Sequence, residues 1–312
     1  MKKLNIIGSG RVGRTLASLW EEKRTFAIQD VLDRTPHGAR AAVAFIGDGR
    51  AAGWLEDMRP AEVWMLTTPD GKIIPCCEAL AASALLRSGD IVFHCSGALA
   101  SAELKGAAAR GAAVASVHPL KSIADARDAV RTFTGTHCAA EGDREALEIL
   151  RPAFERIGAI VSEIDPGLKT VYHAASVMVC NYLTALMEAG LRCYEKSGLT
   201  RETALAMMEP LVRETVDNVF KLGTVKALTG PIARGDEAVV ARQLEALAAW
   251  DTRIGDIYRE LGAVALELSR AQGEAGAEAL ERLQRLLATP RNGTTAGSKP
   301  VALNVATKIP RS

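Results

Sequence analysis

Short apolar runs alternate with segments of helical period over the first half of the chain. Clear examples of such runs are Phe26–Leu32, Val63–Thr68 and Asp90–Cys95. Runs that are apolar almost throughout are typical of parallel strands covered on both faces. Strands that alternate with helices indicate right-handed crossovers, so the pattern predicts an α/β domain with a doubly wound sheet.

The same pattern predicts further strands before and after these runs. They are expected at Lys2–Ile7, Val43–Ile46, Ala112–Val117, Thr136–Ala140 and Ala159–Ile164. The last two flank a segment of helical period, as in a further crossover unit.

The composition and the hydrophobic period of the sequence change near residue 165. Residues 168–287 form long stretches rich in alanine and leucine, with short breaks at glycine, threonine and proline. We therefore predict an α/β domain at 1–164 and an all-α domain at 165–289. Residues 290–312 are rich in Pro, Gly, Thr, Ser and Lys without a period, which predicts a flexible tail.

The most apolar long stretch runs from Ala174 to Met187 and is interrupted by Asn181. It is shorter than the roughly 20 residues that a bilayer requires, so we predict a buried helix and no membrane partner. Lys2 and Lys3 precede too short an apolar run for a signal peptide.

Charge and cysteine content narrow the range of partners. The chain has 38 basic and 37 acidic residues in 312, so no overall field attracts nucleic acid or an anionic membrane. The six cysteines contain no C-x-x-C pair and lie mostly among apolar residues, which predicts no metal site and favours a reducing cytoplasm. Small molecules or a second copy of the chain are the expected partners.

A glycine-rich turn follows the first predicted strand. It reads Gly8, Ser9, Gly10, Arg11, Val12, Gly13 and leads into a segment of helical period. In a dinucleotide site the first glycine permits a tight turn, the second lets the backbone approach a pyrophosphate, and the third lets helix and strand pack closely. The helix N-terminus then faces the phosphates. The alternative is an ordinary glycine turn.

The end of the second strand carries Asp33, Arg34 and Thr35. Asp33 lies 20 residues beyond Gly13, where an acid can bind the ribose hydroxyls of NAD. Arg34 and Thr35 suit the 2′-phosphate of NADP instead. A carboxylate would repel that phosphate, so only one of Asp33 and Arg34 can face the ribose, and the residues alone leave both readings open.

Polar residues at three later strand ends are expected to gather around the nicotinamide end. They are Thr68 and Pro69, Ser96, and His118. An imidazole directly after a strand can bind a substrate carboxylate or pass a proton. The alternative is that His118 only bonds its own loop.

A second group of polar residues follows the predicted domain boundary. Lys169 and His173 are four residues apart and fall on one helix face, and Asn181 can line the same side about three turns on. Hydride transfer needs a proton donor, and a lysine partly desolvated in a cleft can serve. In the alternative reading Lys169 is solvated and His173 and Asn181 have structural roles.

The turn-forming segment 228–236 lies between apolar helices. Within it, Arg234 is a candidate clamp for a substrate carboxylate, with Asp236 positioning it. Alternatively, Thr229 and Asp236 only cap helices.

Several of these motifs together resemble a bacterial family of Rossmann-like proteins with a C-terminal helical domain of unknown function, related to deazaflavin-dependent NADP reductases. The motifs are G-S-G-R-V-G, T-T-P-D, H-C-S-G-A-L, H-P-L, K-T-V-Y-H-A-A, C-N-Y-L and L-T-G-P-I-A-R-G-D. More distantly, the layout is similar to that of pyrroline-5-carboxylate reductase, prephenate dehydrogenase and the β-hydroxyacid dehydrogenases.

The resemblance implies a Rossmann domain followed by a helical domain that often dimerises. In β-hydroxyacid dehydrogenases the catalytic lysine is followed four residues later by asparagine, whereas here Lys169 is followed by His173, which puts a hydroxyacid substrate in doubt. Prephenate dehydrogenases carry H-P-M, close to the H-P-L at His118. Pyrroline-5-carboxylate reductases end their second strand in a pattern like Arg34-Thr35, which favours NADP over NAD.

These inferences predict an NADP(H)-dependent oxidoreductase that acts on a small carboxylate-bearing carbonyl, hydroxyl or imine compound. Lys169, His173 and His118 are its expected catalytic residues, and Ser96, Asn181 and Arg234 are expected to contact substrate. A homodimer built from the C-terminal helices is also expected. Two alternatives are a catalytically silent NADP(H) sensor and an NADP reductase that uses a flavin or deazaflavin as second substrate.

Overall fold

The computed structural model describes residues 1–288, so the predicted tail at 290–312 lies outside the described residues. Contacts divide the chain into two compact units, the first Met1–Thr184 and the second beginning at Ala185. This division falls within a long helix, after Thr184 rather than at residue 165, where the composition and the hydrophobic period of the sequence change.

The described residues contain eight strands. They are β1 Lys3–Ile7, β2 Ala27–Leu32, β3 Arg50–Ala52, β4 Val63–Leu66, β5 Ile91–His94, β6 Ala113–Pro119, β7 His137–Gly142 and β8 Ile160–Glu163. All eight belong to one sheet, in the order β3-β2-β1-β4-β5-β6-β7-β8. Neighbouring strands are parallel except for β6 and β7, which pair antiparallel.

Eleven α-helices accompany these strands in residues 1–288. They are α1 Arg11–Glu22, α2 Pro36–Ile46, α3 Asp70–Ala82, α4 Lys105–Ala109, α5 Ala126–Arg131, α6 Arg144–Arg156, α7 Lys169–Lys196, α8 Arg201–Ala227, α9 Glu237–Trp250, α10 Thr252–Gln272 and α11 Ala277–Ala288. The predicted α/β sheet followed by an all-α region is confirmed.

The sheet is covered by apolar side chains on both faces. Alternate residues of one strand enter different clusters: Val63 and Met65 join one, while Trp64 and Leu66 join the other. This alternation follows from the two-residue period of a strand. In the first cluster Trp20 makes edge-to-face contacts with several phenylalanine rings.

The predicted strand at Val43–Ile46 is wrong, because these residues are the last turn of α2. Thr35 caps the start of this helix by accepting a hydrogen bond from the Gly38 N–H at 3.0 Å, and Pro36 occupies its first turn. Gly47 ends it in the left-handed conformation. The helix-start signals at Thr35 and Pro36 and the helix-stop signal at Gly47 therefore outweigh the strand preference of Val43 and Ile46.

The apolar stretch at Ala174–Met187 is helical, as predicted, but it is not buried within this chain. Helix α7 carries several exposed large apolar side chains, among them Val179 and Tyr182. Within the described residues, the segment Pro166–Lys196 is the one helix long and apolar enough to cross a membrane, and only 11% of its most apolar window is buried.

The second unit contains α8 to α11 and the end of α7. Thr200 caps α8 through a 3.2 Å hydrogen bond from the Thr203 N–H. Inside α8 the chain is kinked at Gly223, which has a positive φ of 79°. Asp236 caps α9 by accepting from the Val239 N–H, which matches the capping alternative for this residue.

Candidate active site

The glycine turn joins the end of β1 to the start of α1, at the carboxyl edge of the parallel strands. Gly8 has a positive φ of 91°, and a Cβ added to it would lie 2.6 Å from the Thr68 backbone nitrogen. A Cβ on Gly13 would collide with Thr67 Oγ1 and lie 2.8 Å from the Gly8 carbonyl oxygen. Both glycines are therefore required for close packing of the turn against the end of β4.

Gly10 differs from its two neighbours in the motif. Its backbone is extended, with φ −65° and ψ −169°, which any residue can adopt. A Cβ on Gly10 would meet no atom closer than the Thr67 carbonyl oxygen at 3.9 Å, so the space in front of it is open. The protein's own packing does not require a glycine here, which leaves room for the close approach of a ligand.

The N-terminus of α1 begins directly at this open space. Gly10 provides no side-chain cap, and the first turn of α1 holds no acidic residue. Helix N-terminal N–H groups that lack intrahelical partners carry a partial positive charge and bind anions. The turn and helix together fit a pyrophosphate group.

The side chain of Asp33 is committed to the same turn. Asp33 Oδ2 accepts hydrogen bonds from the Ser9 N–H at 3.0 Å and from the Ser9 hydroxyl. Burial raises the pKa of Asp33, but these bonds and those from the backbone N–H groups of Arg34 and Thr35 outweigh it, so the pKa lies below its usual value. The carboxylate thus joins the end of β2 to the glycine turn.

Neighbouring side chains at the end of β2 differ in their accessibility. Thr35 Oγ1 is occupied in capping α2, whereas the Arg34 side chain is exposed. At the end of β2, the Asp33 carboxylate is thus bonded to Ser9 and the Arg34 side chain is exposed.

A basic hollow of about 510 Å³ lies beside the turn, between α1, α2 and the start of α5. Arg11, Arg14 and Arg127 line it together with the Phe45 ring. Arg14 is held by two hydrogen bonds to the Ser9 carbonyl oxygen, at 3.0 and 2.8 Å, and its Cζ lies 5.9 Å from the centre of the Phe45 ring. These guanidinium groups make this side of the turn electropositive.

Two imidazole rings approach each other near the carboxyl ends of β5 and β6, where His118 is the next-to-last residue of β6. The ring centres of His118 and His173 are 5.9 Å apart. A Cβ on Gly97 would lie 2.8 Å from His118 Cε1 and would also collide with His173 Nδ1. The absence of a side chain at Gly97 therefore allows both rings to pack at this strand end.

Tyr172 completes this cluster. Its hydroxyl lies 3.1 Å from His118 Nδ1, within hydrogen-bond distance. His173 Nδ1 is buried and has no hydrogen-bond partner within residues 1–288. A buried polar atom without a partner is costly, so this nitrogen is suited to meet a polar group of a ligand.

Burial controls the protonation of the cluster. It lowers the pKa of His118 to about 4, and the nearby His173 and Lys169 act in the same direction, while Asp70 opposes them. Burial also raises the pKa of Tyr172 to about 12. At neutral pH, His118 is therefore an uncharged imidazole and Tyr172 an uncharged phenol, so both can hold or donate a proton.

Lys169 occupies a different environment from the open cleft expected from the sequence. Its side chain is 1% exposed, and Nζ donates to Glu141 Oε1 at 3.0 Å and to Ser116 Oγ. Burial lowers the pKa of Lys169, although Glu141 opposes this shift. Because the protein itself encloses the amine, the expectation of a lysine that faces a cleft is corrected.

Glu141 accepts two further hydrogen bonds, and Ser116 makes one more contact. Ser101 donates to its two oxygens, from N–H at 2.9 Å and from Oγ at 2.6 Å. Ser116 Oγ lies 3.4 Å from the Ser96 carbonyl oxygen. The ion pair is thus linked by hydrogen bonds to the loop that follows β5, which contains Gly97.

The remaining predicted residues have other surroundings. Ser96 Oγ accepts from the N–H groups of Ala98 and Leu99, which fixes the loop after β5. Pro69 precedes the first residue of α3, and the backbone of Thr68 packs under Gly8. Asn181 is exposed three turns along α7, and Arg234 is exposed in the second unit. Their predicted contacts with substrate stay predictions.

Sequence analysis gave no role to three residues of this site, Gly97, Tyr172 and Glu141. Gly97 and Tyr172 adjoin predicted site residues in H-C-S-G-A-L and K-T-V-Y-H, so the motifs contained a signal for them. The sequence signal for Glu141 is its position directly after a predicted strand of small apolar residues. A buried acid there indicates that a cation lies next to it.

Domain models give the class of the protein. Residues 2–119 match a Rossmann-like domain, in agreement with the strand order and the glycine turn. Residues 136–265 match a domain of unknown function, DUF2520. The chain therefore combines a Rossmann-like domain with a DUF2520 domain, and the resemblance drawn from its motifs is confirmed. No protein with a curated description matches it in sequence.

Solved structures with a similar fold cover almost the whole described chain. A protein from Thermotoga maritima is 26% identical, covers 86% of this chain and 99% of its own, and has a TM-score of 0.69. A Bacteroides fragilis protein provisionally named an NADP oxidoreductase is 22% identical, with coverages of 88% and 98% and a TM-score of 0.64. Pyrroline carboxylate reductase from Plasmodium falciparum, solved with NADP bound, is 14% identical, with coverages of 92% and 98% and a TM-score of 0.54.

Proposed function

We propose that this protein is an oxidoreductase that binds NADP(H) at the glycine turn. Its proposed substrate is a small carboxylate-bearing compound with a carbonyl, hydroxyl or imine group that gains or loses hydride. The open space at Gly10, in front of the uncapped N-terminus of α1, is the observation that carries this proposal. The fold neighbours named as NADP oxidoreductases or solved with NADP support it.

Residues of the turn and of the end of β2 would hold the cofactor. The backbone N–H groups at the start of α1 would bind its pyrophosphate, and Arg34 would meet its 2′-phosphate. When bound, the nicotinamide supplies or accepts the hydride. The basic hollow beside the turn adds positive charge near these anionic groups.

The cluster at the ends of β5 and β6 would handle the proton. Because Tyr172 lies 3.1 Å from His118 Nδ1, its hydroxyl can donate there and leave the imidazole proton on Nε2. In the reductive direction, His118 Nε2 passes this proton to the substrate oxygen or nitrogen while Tyr172 gives its own proton to Nδ1, and a solvent water then returns a proton to the Tyr172 phenolate. His173 Nδ1 would bind a further polar group of the substrate.

Substitution of Gly10 with alanine tests cofactor binding directly. The new Cβ meets no close atom of the protein, so we expect a stability loss of no more than about 1 kcal/mol. Because the Cβ would occupy the space of the pyrophosphate, NADPH affinity should fall at least about tenfold, or about 1.4 kcal/mol. NADPH fluorescence titration, alongside thermal unfolding, measures both.

Gly190→Ala is the matched control, because a Cβ at Gly190 meets nothing within 4 Å and Gly190 lies in the part of α7 that belongs to the second unit. It should bind NADPH like the wild type. Equal affinity in the wild type and Gly10→Ala would place the dinucleotide elsewhere, and a wild type that does not bind NADPH or NADH would reject the proposed function.

The choice of NADP over NAD is tested at Arg34. Arg34→Ala removes an exposed guanidinium at the end of β2, so NADPH affinity should fall at least about tenfold while NADH affinity changes by less than about twofold. Isothermal titration with both nucleotides measures the two effects. If both affinities fall equally, Arg34 does not discriminate the 2′-phosphate.

We also propose that the chain forms a homodimer through its C-terminal helices. The exposed large apolar side chains of α8 and α10 support this, since such side chains are costly in water. They are Leu205, Met207, Leu211, Phe220, Leu222, Ile257, Leu261 and Val264.

Phe220→Glu tests this dimer, because Phe220 is 85% exposed and a carboxylate would be desolvated in an apolar interface. Sedimentation velocity should show a dimer for the wild type and a monomer for the variant at the same concentration. Trp54→Glu is the control, since Trp54 is 73% exposed but lies outside these helices. A monomeric wild type, or a dimeric Phe220→Glu, contradicts the proposed interface.

A further inference from the structure

The buried ion pair of Glu141 and Lys169 connects four segments of the first unit. Glu141 belongs to β7 and pairs across the sheet with Ser116 of β6. Lys169 is the first residue of α7 and binds both of them. Ser101, in the segment that follows β5, binds both Glu141 oxygens. Each end of the ion pair is therefore satisfied inside the protein.

The position of Lys169 relates this network to the imidazole cluster. Tyr172 and His173 follow it by three and four residues, so they lie on the same side of α7 one turn later. Tyr172 contacts His118 Nδ1, and His173 packs against Gly97. Because Lys169 is held by Glu141 and Ser116, the rotation of this helical turn about its axis and its position along β6 are both fixed.

We propose that the Glu141–Lys169 ion pair is a positioning device, which holds the first turn of α7 against β6 and β7 and thereby sets Tyr172 and His173 against His118 and Gly97. Lys169 is then a positioning residue rather than the proton donor. This inference rests on the proposed function, because it is the proposed proton transfer that requires the aligned rings. A buried ion pair contributes little net stability, and specifying a unique arrangement is a recognised use for one.

Two effects of the pair on His118 can be separated with a variant that keeps both charges. The groups that act on His118 are His173, Tyr172 and Lys169 of α7, together with Asp70 of α3. Removal of Glu141 changes these charges, because the unpaired Lys169 amine can lose its proton and then no longer lowers the pKa of His118, whereas Ser101→Ala leaves both charges of the pair in place. If the pair acts through position, its disruption loosens α7 and exposes His118, so the pKa rises from about 4 toward its ordinary value of about 6.5.

The experiment is a histidine-ring NMR titration of the wild type and Glu141→Gln. The chain contains five histidines, so ring signals labelled with 13C and 15N are few enough to assign by substitution. In Glu141→Gln we expect the pKa of His118 to rise by at least about one unit. His94 is an internal control, because it lies in β5 and its pKa of about 4 reflects burial and the charges of Lys169 and Glu141.

An unchanged or lowered pKa of His118 in Glu141→Gln would overturn the proposal. Ser101→Ala is the deciding variant, because it removes the 2.6 Å hydrogen bond to Glu141 without a change of charge. The pKa of His94 should stay unchanged in Ser101→Ala, since Lys169 and Glu141, the two members of the pair that act on it, keep their charges. Ser101→Ala should raise the pKa of His118 by a smaller amount, and no rise would again overturn the proposal.

NADPH affinity is measured on the same samples and should not change in either variant, since the glycine turn is not part of the network. A wild type that fails to bind NADPH removes the proposed function, while the titration still decides whether the ion pair positions the rings. The two failures are therefore distinguishable.

Discussion

Glu141→Gln is expected to lower the free energy of unfolding by about 3–5 kcal/mol, because it leaves the buried amine of Lys169 without a counter-ion. The neutral amide keeps the shape of the carboxylate, so the loss reflects charge rather than a cavity. Urea denaturation at neutral pH measures it, and the midpoint should fall without a change in slope.

The controls for this prediction form a double-mutant cycle. Lys169→Met alone should cost a similar amount, since it leaves the Glu141 carboxylate buried and unpaired. The double variant Glu141→Gln/Lys169→Met should recover most of the loss, because no isolated charge remains. Additive losses in the double variant would show that the two residues do not act as a pair.

Gly8→Ala is expected to destabilise the first unit and to abolish NADPH binding. A positive φ of 91° costs a residue with a side chain about 1–3 kcal/mol, and the added Cβ would lie 2.6 Å from the Thr68 backbone nitrogen. Because backbone atoms cannot turn aside, the glycine turn has to move, and the pyrophosphate cradle is lost. Thermal unfolding and NADPH titration measure the two effects.

Gly47→Ala separates strain from collision. Gly47 has a similar φ of 94°, but a Cβ there would meet nothing within 4 Å. Its cost should therefore be the backbone strain alone, with NADPH affinity unchanged. If Gly8→Ala and Gly47→Ala lose equal stability, packing against Thr68 does not constrain the turn.

Much of the sheet follows from local pattern. Val63–Leu66 is apolar because both faces of the strand are covered, and the glycine turn predicts where β1 ends and α1 begins. The predicted strand at Val43–Ile46 rested on two β-branched residues, Val43 and Ile46. These residues are helical because the cap at Thr35 starts α2 and Gly47 ends it.

The candidate site was only partly predictable. His118 and His173 were predicted as site residues because one imidazole lies at a strand end and the other on the helix after the predicted domain boundary. That they meet depends on Gly97, and the enclosure of Lys169 depends on Glu141, which is 28 residues earlier in the chain. The hydrophobic period of a single segment gives no information on the contact of Lys169 with Glu141, because this contact forms only after β7 has paired antiparallel with β6.

The enclosure of Lys169 also separates it chemically from the other lysines. Its amine is 1% exposed and held by a carboxylate and a hydroxyl, whereas Lys23 has a side chain that is 48% exposed. Acetylating enzymes and amine-reactive labels reach only accessible, unprotonated amines, so they modify surface lysines and spare residue 169 while the first unit is folded. An acyl group found on Lys169 would therefore mark a molecule in which the start of α7 had already come away from the sheet.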